Sequence, residues 1–504
     1  METKIQNMKD IIEYAAEMYG ESPAIRYKVR KEVITKTYRD IKKDSESFSR
    51  SLEKLNMLKK HVAIIGSTTY PWIISYFGTV NSGSVAVPLD AQLPAEELCE
   101  LINRADISVL VFDELRKDLV QAVKEKCPGL QYLISMQASE SLDEILSFNR
   151  LIVENEGSFF TDIDCDKMTA ILFTSGTTGK SKGVMLSHRN LADNAVCLDM
   201  KIPAGTISMT LLPIHHAYCF TMDILKAIYI GMVICINDSI MHVQKNMKLF
   251  KPEIILLVPM VIESLYAKLV DATGILPKKM VAKAALGGNL KTICSGGAYL
   301  NPDLIDGFSA YGIRILQGYG MTECSPVIST NLEWDSRKNS VGKLLPGCEV
   351  KIVDEEIWVK SPSVMLGYYK MPKETEDTLE DGWLKTGDLG YADADNFLYI
   401  TGRKKNLIIL NNGENVSPEE LENEVSKAPL VKEIIVSEKD SVIQAEIFPD
   451  YDYAKKKRIK NIEAELQNIL DAYNKDRPVY KRIHGLKVRE EEFAKTPSKK
   501  IKRV

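Results

Sequence analysis

The sequence predicts an α/β protein, with a large N-terminal part of two doubly wound α/β lobes and a small β-rich lobe, followed by a small C-terminal α+β domain. Three observations predict it. As far as Gly320, short apolar runs alternate with amphipathic helical stretches, the rhythm of parallel strands joined by helices. From Glu349 short strands and turns replace that rhythm, and beyond Arg403 a polar, lysine-rich joint leads into a last segment of about one hundred residues. The length, 504 residues, suits about three lobes, each able to bury a core.

In chain order, HVAIIG (61–66) reads as a buried strand, Pro71 to Val80 as a helix and SVAVPL (84–89) as a strand. PAEELCELINRA (94–105) reads as an amphipathic helix and SVLVFD (108–113) as a strand. The second series of strands is TAILFTSG (169–176), SMTLLPI (208–214), VICIN (233–237), EIILLVP (253–259), TICSGG (292–297) and RILQGYG (314–320). EVKIV, EIWVK and the turn DGW (381–383) mark the β-rich lobe. Ser417, Pro418 and Glu420 read as N-cap, first helical residue and capping-box partner of a helix that presents Leu421 and Val425 on one face. The basic run Lys455 to Lys460 reads as a solvated helix start.

Composition narrows the function. Hydrophobic residues at 45% and charged residues at 27% are ordinary globular usage. The net charge of −4 gives no sign of a nucleic-acid partner, but from Arg403 onward 22 basic residues face 18 acidic ones, so a basic end piece can approach an anion held by the acidic remainder. Nine scattered cysteines with no CxxC pair read as small buried hydrophobes in a reducing compartment. The charged start METKIQNMKD lacks the apolar stretch of a signal peptide, so a cytoplasmic location is expected. The longest apolar run, Thr221 to Asn237, is broken by Asp223 and Lys226, which leaves at most a peripheral membrane contact.

The sharpest chemical feature is FTSGTTGKSKGVMLSH (173–188), with three glycines, three threonines and two lysines between a buried strand and a helix that Ser187 can cap. Backbone N–H groups freed by glycine, with hydroxyls and ammonium groups at the rim, make a cradle for polyphosphate. An idle surface turn has little use for such a set directly after a hydrophobic strand. A P-loop reading of Gly179-Lys180-Ser181 fails, because the first glycine of that motif would stand at position 174, which is Thr174.

The run resembles the signature loop of the acyl-adenylate-forming (AMP-binding) superfamily, which includes acyl-CoA synthetases, luciferase-like enzymes and peptide-synthetase adenylation domains. Further segments resemble that family in its order. SGGAYL (295–300) is similar to its adenine-side strand, QGYGMTE (317–323) to its nucleotide and metal strand, and KTGDLG (385–390) to its ribose-binding turn. YITGRKKNLIILNNGENVSPEELE (399–422) resembles its hinge and mobile domain, KTPSKKIKR (495–503) its catalytic-lysine segment, and GSVAVPLDAQLPAEEL (83–98) its N-terminal part.

The resemblance implies an adenylation domain at 1–402, a hinge at 403–405 and a mobile lid domain at 406–504. It implies that Thr174, Ser175, Gly176, Thr177, Thr178, Gly179 and Lys182 surround the ATP phosphates. Gly297, Ala298 and the strand Gln317, Gly318, Tyr319, Gly320 and Met321 would enclose adenine, with the Tyr319 ring stacked on it. Thr322 would bond the α-phosphate, Glu323 would hold Mg²⁺, and Asp388 would take the ribose hydroxyls beside Arg403. His216 would gate the acid pocket, whose wall would run from Tyr218 to Ile228 and from Val327 to Ser329. Lys500 would supply the ammonium for adenylation, Lys405 the hinge, and Gly413 passage for a pantetheine arm.

The implied reaction is an ATP-dependent ligation of a carboxylic acid to coenzyme A through an acyl-AMP, with release of pyrophosphate. The run NKDRPVYKRI (474–483) together with KTPSKKIKR resembles bacterial long-chain fatty acyl-CoA synthetases, which makes a fatty acid the expected substrate. Two alternatives stand beside it. One is a freestanding adenylating enzyme that loads an acyl, aryl or amino acid onto a carrier protein; the other is a catalytically silent nucleotide-binding module.

Overall fold

Two large sheets, one small sheet and a terminal α+β unit make up the computed structural model, which describes residues 5–141, 144–174, 181–410, 414–439, 442–495 and 501–503. The first sheet has eight strands in the spatial order Gly367–Tyr368, Lys182–Ser187, Met168–Thr174, Val85–Leu89, His61–Ile65, Ile107–Phe112, Tyr132–Ser135 and Ile145–Ser147. Val85–Leu89 and Ile107–Phe112 are buried at every position, as β-branched runs between helical layers require. The parallel order breaks where the candidate phosphate strand turns back, because Lys182–Ser187 runs antiparallel to Met168–Thr174.

The second sheet has nine strands, with Arg314–Gly320, Thr292–Ser295, Ile254–Leu257, Ile207–Thr210 and Val233–Ile236 parallel at its centre. One edge is closed by a hairpin from the start of the chain. Pro23–Val29 pairs in parallel with Val233–Ile236, and Glu32–Thr37 pairs back on it. The first lobe in sequence therefore donates two strands to the second lobe's sheet.

A five-stranded sheet over residues 349–403 is the expected β-rich lobe; its long strand Trp383–Ala392 pairs with Glu356–Lys360 and Leu398–Arg403. The last unit has its own apolar core, drawn from Ile408 to Val488. Its three-stranded sheet joins Val431–Lys439, Val442–Pro449 and Gly485–Val488.

Several sequence expectations need correction. SMTLLPI is strand only over Ile207–Thr210; beyond it Pro213 starts the turn that leads into a helix. The capping box at Ser417 does not form. Pro418–Val425 is helical with Leu421 and Val425 buried, but the Ser417 hydroxyl donates to Thr401 O at 2.9 Å, and Glu420 pairs with Lys481 instead. The Ser187 cap does form, as a reciprocal box with Asn190. Lys455 to Lys457 close the helix Tyr451–Lys457 rather than opening one. All nine cysteines are free, five of them buried. Among the described residues no helix is long and apolar enough to cross a membrane.

The hairpin that follows Arg314–Gly320 is packed to contact. A Cβ added at Gly320 would lie 1.9 Å from Pro326 O, and the neighbouring Met321 N–H donates to that same oxygen at 2.9 Å. Gly320→Ala is therefore expected to cost about 2 kcal/mol or more through forced backbone displacement. Thermal unfolding of the purified variant checks this; an unchanged midpoint would show that the hairpin opens at no cost.

Candidate active site

The C-terminal ends of the parallel strands and the β-rich lobe bring most of the expected residues together. Arg314–Gly320 runs on into the short turn Thr322–Cys324, which carries Glu323 with only 9% of its surface exposed. The Tyr368 phenol donates to Glu323 Oε1 at 2.8 Å, while the Lys182 ammonium sits 4.6 Å from the centre of the Tyr368 ring. Backbone pairing fixes this bridge. Met365 N–H donates to Glu323 O at 2.9 Å, and Tyr369 N–H to Gly183 O at 2.7 Å. The segment 365–369 thus ties the phosphate-side strand to the Glu323 turn. Burial, then the Glu323 charge, holds the Tyr368 phenol protonated far above neutrality.

Tyr319, four residues before Glu323, donates its phenol to Asp388 Oδ2 at 2.7 Å, and Arg403 Nε lies 2.6 Å from Asp388 Oδ1. The aspartate side chain is 5% exposed. Its turn is held tightly. Thr386 Oγ1 donates to Ile357 O at 2.7 Å and accepts from Asp388 N–H at 3.1 Å. Gly387 N–H donates to Glu356 Oε1 at 3.0 Å, and the other oxygen of this buried glutamate takes the Lys404 ammonium at 2.8 Å. Two adjacent cations, Arg403 and Lys404, are therefore seated on two nearly buried carboxylates. Lys405, next in the chain, is only partly covered, and that partial desolvation, followed by the Arg403 charge, lowers its pKa.

Other predicted residues take supporting places. Gln317 is buried and donates its side-chain amide to Lys338 O at 2.8 Å, in register with Ser295 of the neighbouring strand. Gly297 and Ala298 follow that strand and are exposed; Gly297 takes a φ of 85°, which only glycine adopts without strain. Gly318 pairs with Thr330, while Thr174 pairs with Lys182 at the mouth of the loop. Ser175, Gly176, Thr177, Thr178, Gly179, Gly413 and Lys500 lie outside the described residues.

His216 is half-buried at the start of the helical segment that continues through Cys219–Leu225, its ring 4.2 Å from that of His215. Burial, and then His216, pushes His215 down to about 4, so it is neutral at physiological pH despite Asp90 nearby at 3.8 Å. Tyr218 seats its ring under Gly296, where an added Cβ would come within 3.0 Å, and donates to Cys294 O at 3.3 Å. Residue-type reasoning missed Tyr368, Glu356 and Lys404. Their roles come from pairing between distant strands, which no local spacing encodes.

Comparison with known proteins gives the chain its family. The sequence matches the AMP-binding enzyme family over residues 12–369 and the AMP-binding enzyme C-terminal domain over 405–504. It is similar to a long-chain-fatty-acid–CoA ligase of Bacillus subtilis, 28% identical over 480 residues that cover 86% of this chain and 82% of the relative. It is also similar to the chloroplastic long-chain-fatty-acid–[acyl-carrier-protein] ligase AEE15 of Arabidopsis thaliana, 26% identical over 543 residues covering 86% and 74%. The fold is shared with the anthranilate CoA ligase AuaEII in complex with anthranoyl-AMP, at a TM-score of 0.84 and 21% identity over 98% of this chain and 95% of that one. By its sequence match, its fold and the site just described, the chain belongs to the AMP-binding enzyme family and is an AMP-forming acid–thiol ligase.

Proposed function

We propose that the protein joins a fatty acid to coenzyme A through an acyl-AMP. The observation that carries this reading is the pair of linked clusters, Tyr319–Asp388–Arg403 and Glu323–Tyr368–Lys182, with Tyr319 and Glu323 only four residues apart. One cluster offers a carboxylate for the ribose hydroxyls, the other an ammonium and a carboxylate for the phosphate end. Thr174, Ser175, Gly176, Thr177, Thr178, Gly179 and Lys182 line the phosphates in this reading. Gly297, Ala298, Gln317, Gly318, Tyr319, Gly320 and Met321 line adenine, and Thr322 meets the α-phosphate.

The chemistry follows from charge. A carboxylate must approach the α-phosphorus of a polyanion, so the site has to supply cations already oriented for the charge that develops. Lys182 and Lys500 are those cations in our reading. Glu323 suits Mg²⁺, because its carboxylate gives one oxygen to Tyr368 and keeps the other without a protein partner among the described residues. When bound, the ion would neutralise phosphate charge. Arg403 and Lys404, anchored on Asp388 and Glu356, stay with residues 1–402, so the pivot at 403–405 falls on the unanchored Lys405. Rotation of 406–504 then exchanges Lys500 for Gly413 and admits the thiol.

The substrate class rests on the similarity to fatty-acid ligases and on the wall from Tyr218 to Ile228, which is apolar apart from Asp223 and Lys226. Transfer to a carrier protein is the second reading, favoured by the likeness to the carrier-protein ligase of Arabidopsis thaliana.

Acid-dependent pyrophosphate exchange and hydroxylamine trapping, with and without coenzyme A, test this. Fatty acids are expected to give trapped adenylate alone and thioester with coenzyme A; conversion of ATP to ADP and orthophosphate would sink the reading. Lys500→Ala is expected to lower adenylation at least ~10²-fold while leaving ATP binding measurable. For Lys405→Pro the expectation is the reverse split, with exchange retained and thioester formation lost; equal survival of both half reactions would rule out the rotation. Glu323→Gln is expected to raise the Mg²⁺ concentration needed for half-maximal exchange, read from a metal titration.

A further inference from the structure

Cys219–Leu225 is a π-helix rather than an α-helix, and the Lys226 N–H reaches back five residues to Thr221 O. Such wide turns are rare and collect at functional sites. In this register Met222 and Asp223 straddle the position one turn below Tyr218. Tyr218 is itself pinned between Gly296 and Cys294 O, directly behind the Gly297 turn.

Asp223 is the anomaly of this wall. It is 1% exposed, and its Oδ2 accepts no hydrogen bond. Burial alone pushes its carboxyl up to about 8, so it is mostly protonated at neutral pH. When ionised it would raise the pKa of Tyr218, Cys219 and Cys294, so the carboxyl lies near the strand Thr292–Ser295. Lys226 does not answer it, because that ammonium donates to Ala195 O at 2.9 Å and Leu198 O at 2.8 Å. Thr221 Oγ1, two residues before, is also buried without a partner. The neighbouring packing is apolar, with the Phe220 ring 3.8 Å from that of Tyr76. A dry carboxyl with an unused oxygen is costly unless something else completes its hydrogen bonding.

We propose that Asp223 is a specificity-determining residue of the acid pocket, selecting acids whose tail carries a hydrogen-bonding group, a hydroxyl or an amine, over acids with a plain hydrocarbon tail. The inference rests on the proposed reading that Tyr218 to Ile228 wall the acid pocket, and it refines the substrate class within that reading. A hydroxyl would accept from the protonated carboxyl or donate to its free oxygen; an ammonium would pair with the carboxylate after the proton leaves.

The test uses the full-length enzyme and matched acids: alkanoic against ω-hydroxy and ω-amino acids of equal length, and benzoic against aminobenzoic and hydroxybenzoic acids. Adenylate is trapped with hydroxylamine and kcat/KM compared within each pair. The wild type is expected to favour a polar member by at least ~10-fold, since a site built to hydrogen-bond a substrate group rejects the analogue that lacks it. Asp223→Leu is expected to reduce that ratio at least ~10-fold, and the isosteric Asp223→Asn to reduce it for amines while keeping part of it for hydroxyl acids. Preference for the plain member in every pair, or a ratio unmoved by both variants, overturns the proposal. Failure of every acid to give adenylate would overturn the ligase reading itself, an outcome distinct from lost selectivity.

Discussion

Two nearly buried carboxylates, Asp388 and Glu356, organise the junction between the nucleotide side and the terminal unit. Each takes a cation from consecutive residues of the chain, Arg403 and Lys404, and each also accepts a hydrogen bond from the nucleotide side, from Tyr319 or from the Gly387 backbone. A carboxylate in so little water is stable only while its partners stay in place, since removing one leaves an uncompensated charge. The pairs therefore hold two consecutive residues at the end of the β-rich lobe against that lobe.

The same economy governs the phosphate side. Tyr368 spends its phenol on Glu323 and its ring face on Lys182, so one aromatic side chain orients both an anion and a cation. The antiparallel addition of Gly367–Tyr368 to Lys182–Ser187 makes this possible, since it brings a residue from the edge of the β-rich lobe across to the first sheet. Breaking parallel order at that edge is thus what assembles the site from three separate stretches of sequence.

How much of this was legible beforehand depended on whether the information was local. The strands HVAIIG and RILQGYG, the helix Tyr70–Asn81 and the Ser187 cap follow from apolar runs and cap residues within a few positions, and they are found where expected. Tyr319, Glu323, Asp388 and Arg403 were reached through segments that resemble a family, and the structure gathers them by contacts that reach across the sequence, 69 residues from Tyr319 to Asp388 and 45 from Glu323 to Tyr368. Ser417 misled because its hydroxyl found a better acceptor, Thr401 O, on the neighbouring strand, with Gly402 giving it room: a Cβ there would lie 2.0 Å from that hydroxyl. Tyr368 and Glu356 carried no signal, because a tyrosine beside a strand and a glutamate at a strand start look alike whether or not a distant partner awaits them.

The hairpin that the first residues contribute to the far sheet also constrains how the chain is made. Pro23–Val29 leaves the ribosome early, yet the strand it lies against, Val233–Ile236, is synthesised some two hundred residues later. Until then only the edge paired with Glu32–Thr37 has its native neighbour, and afterwards the two lobes are stitched to one another by topology. Neither lobe can be excised as a contiguous fragment without leaving the other a raw sheet margin.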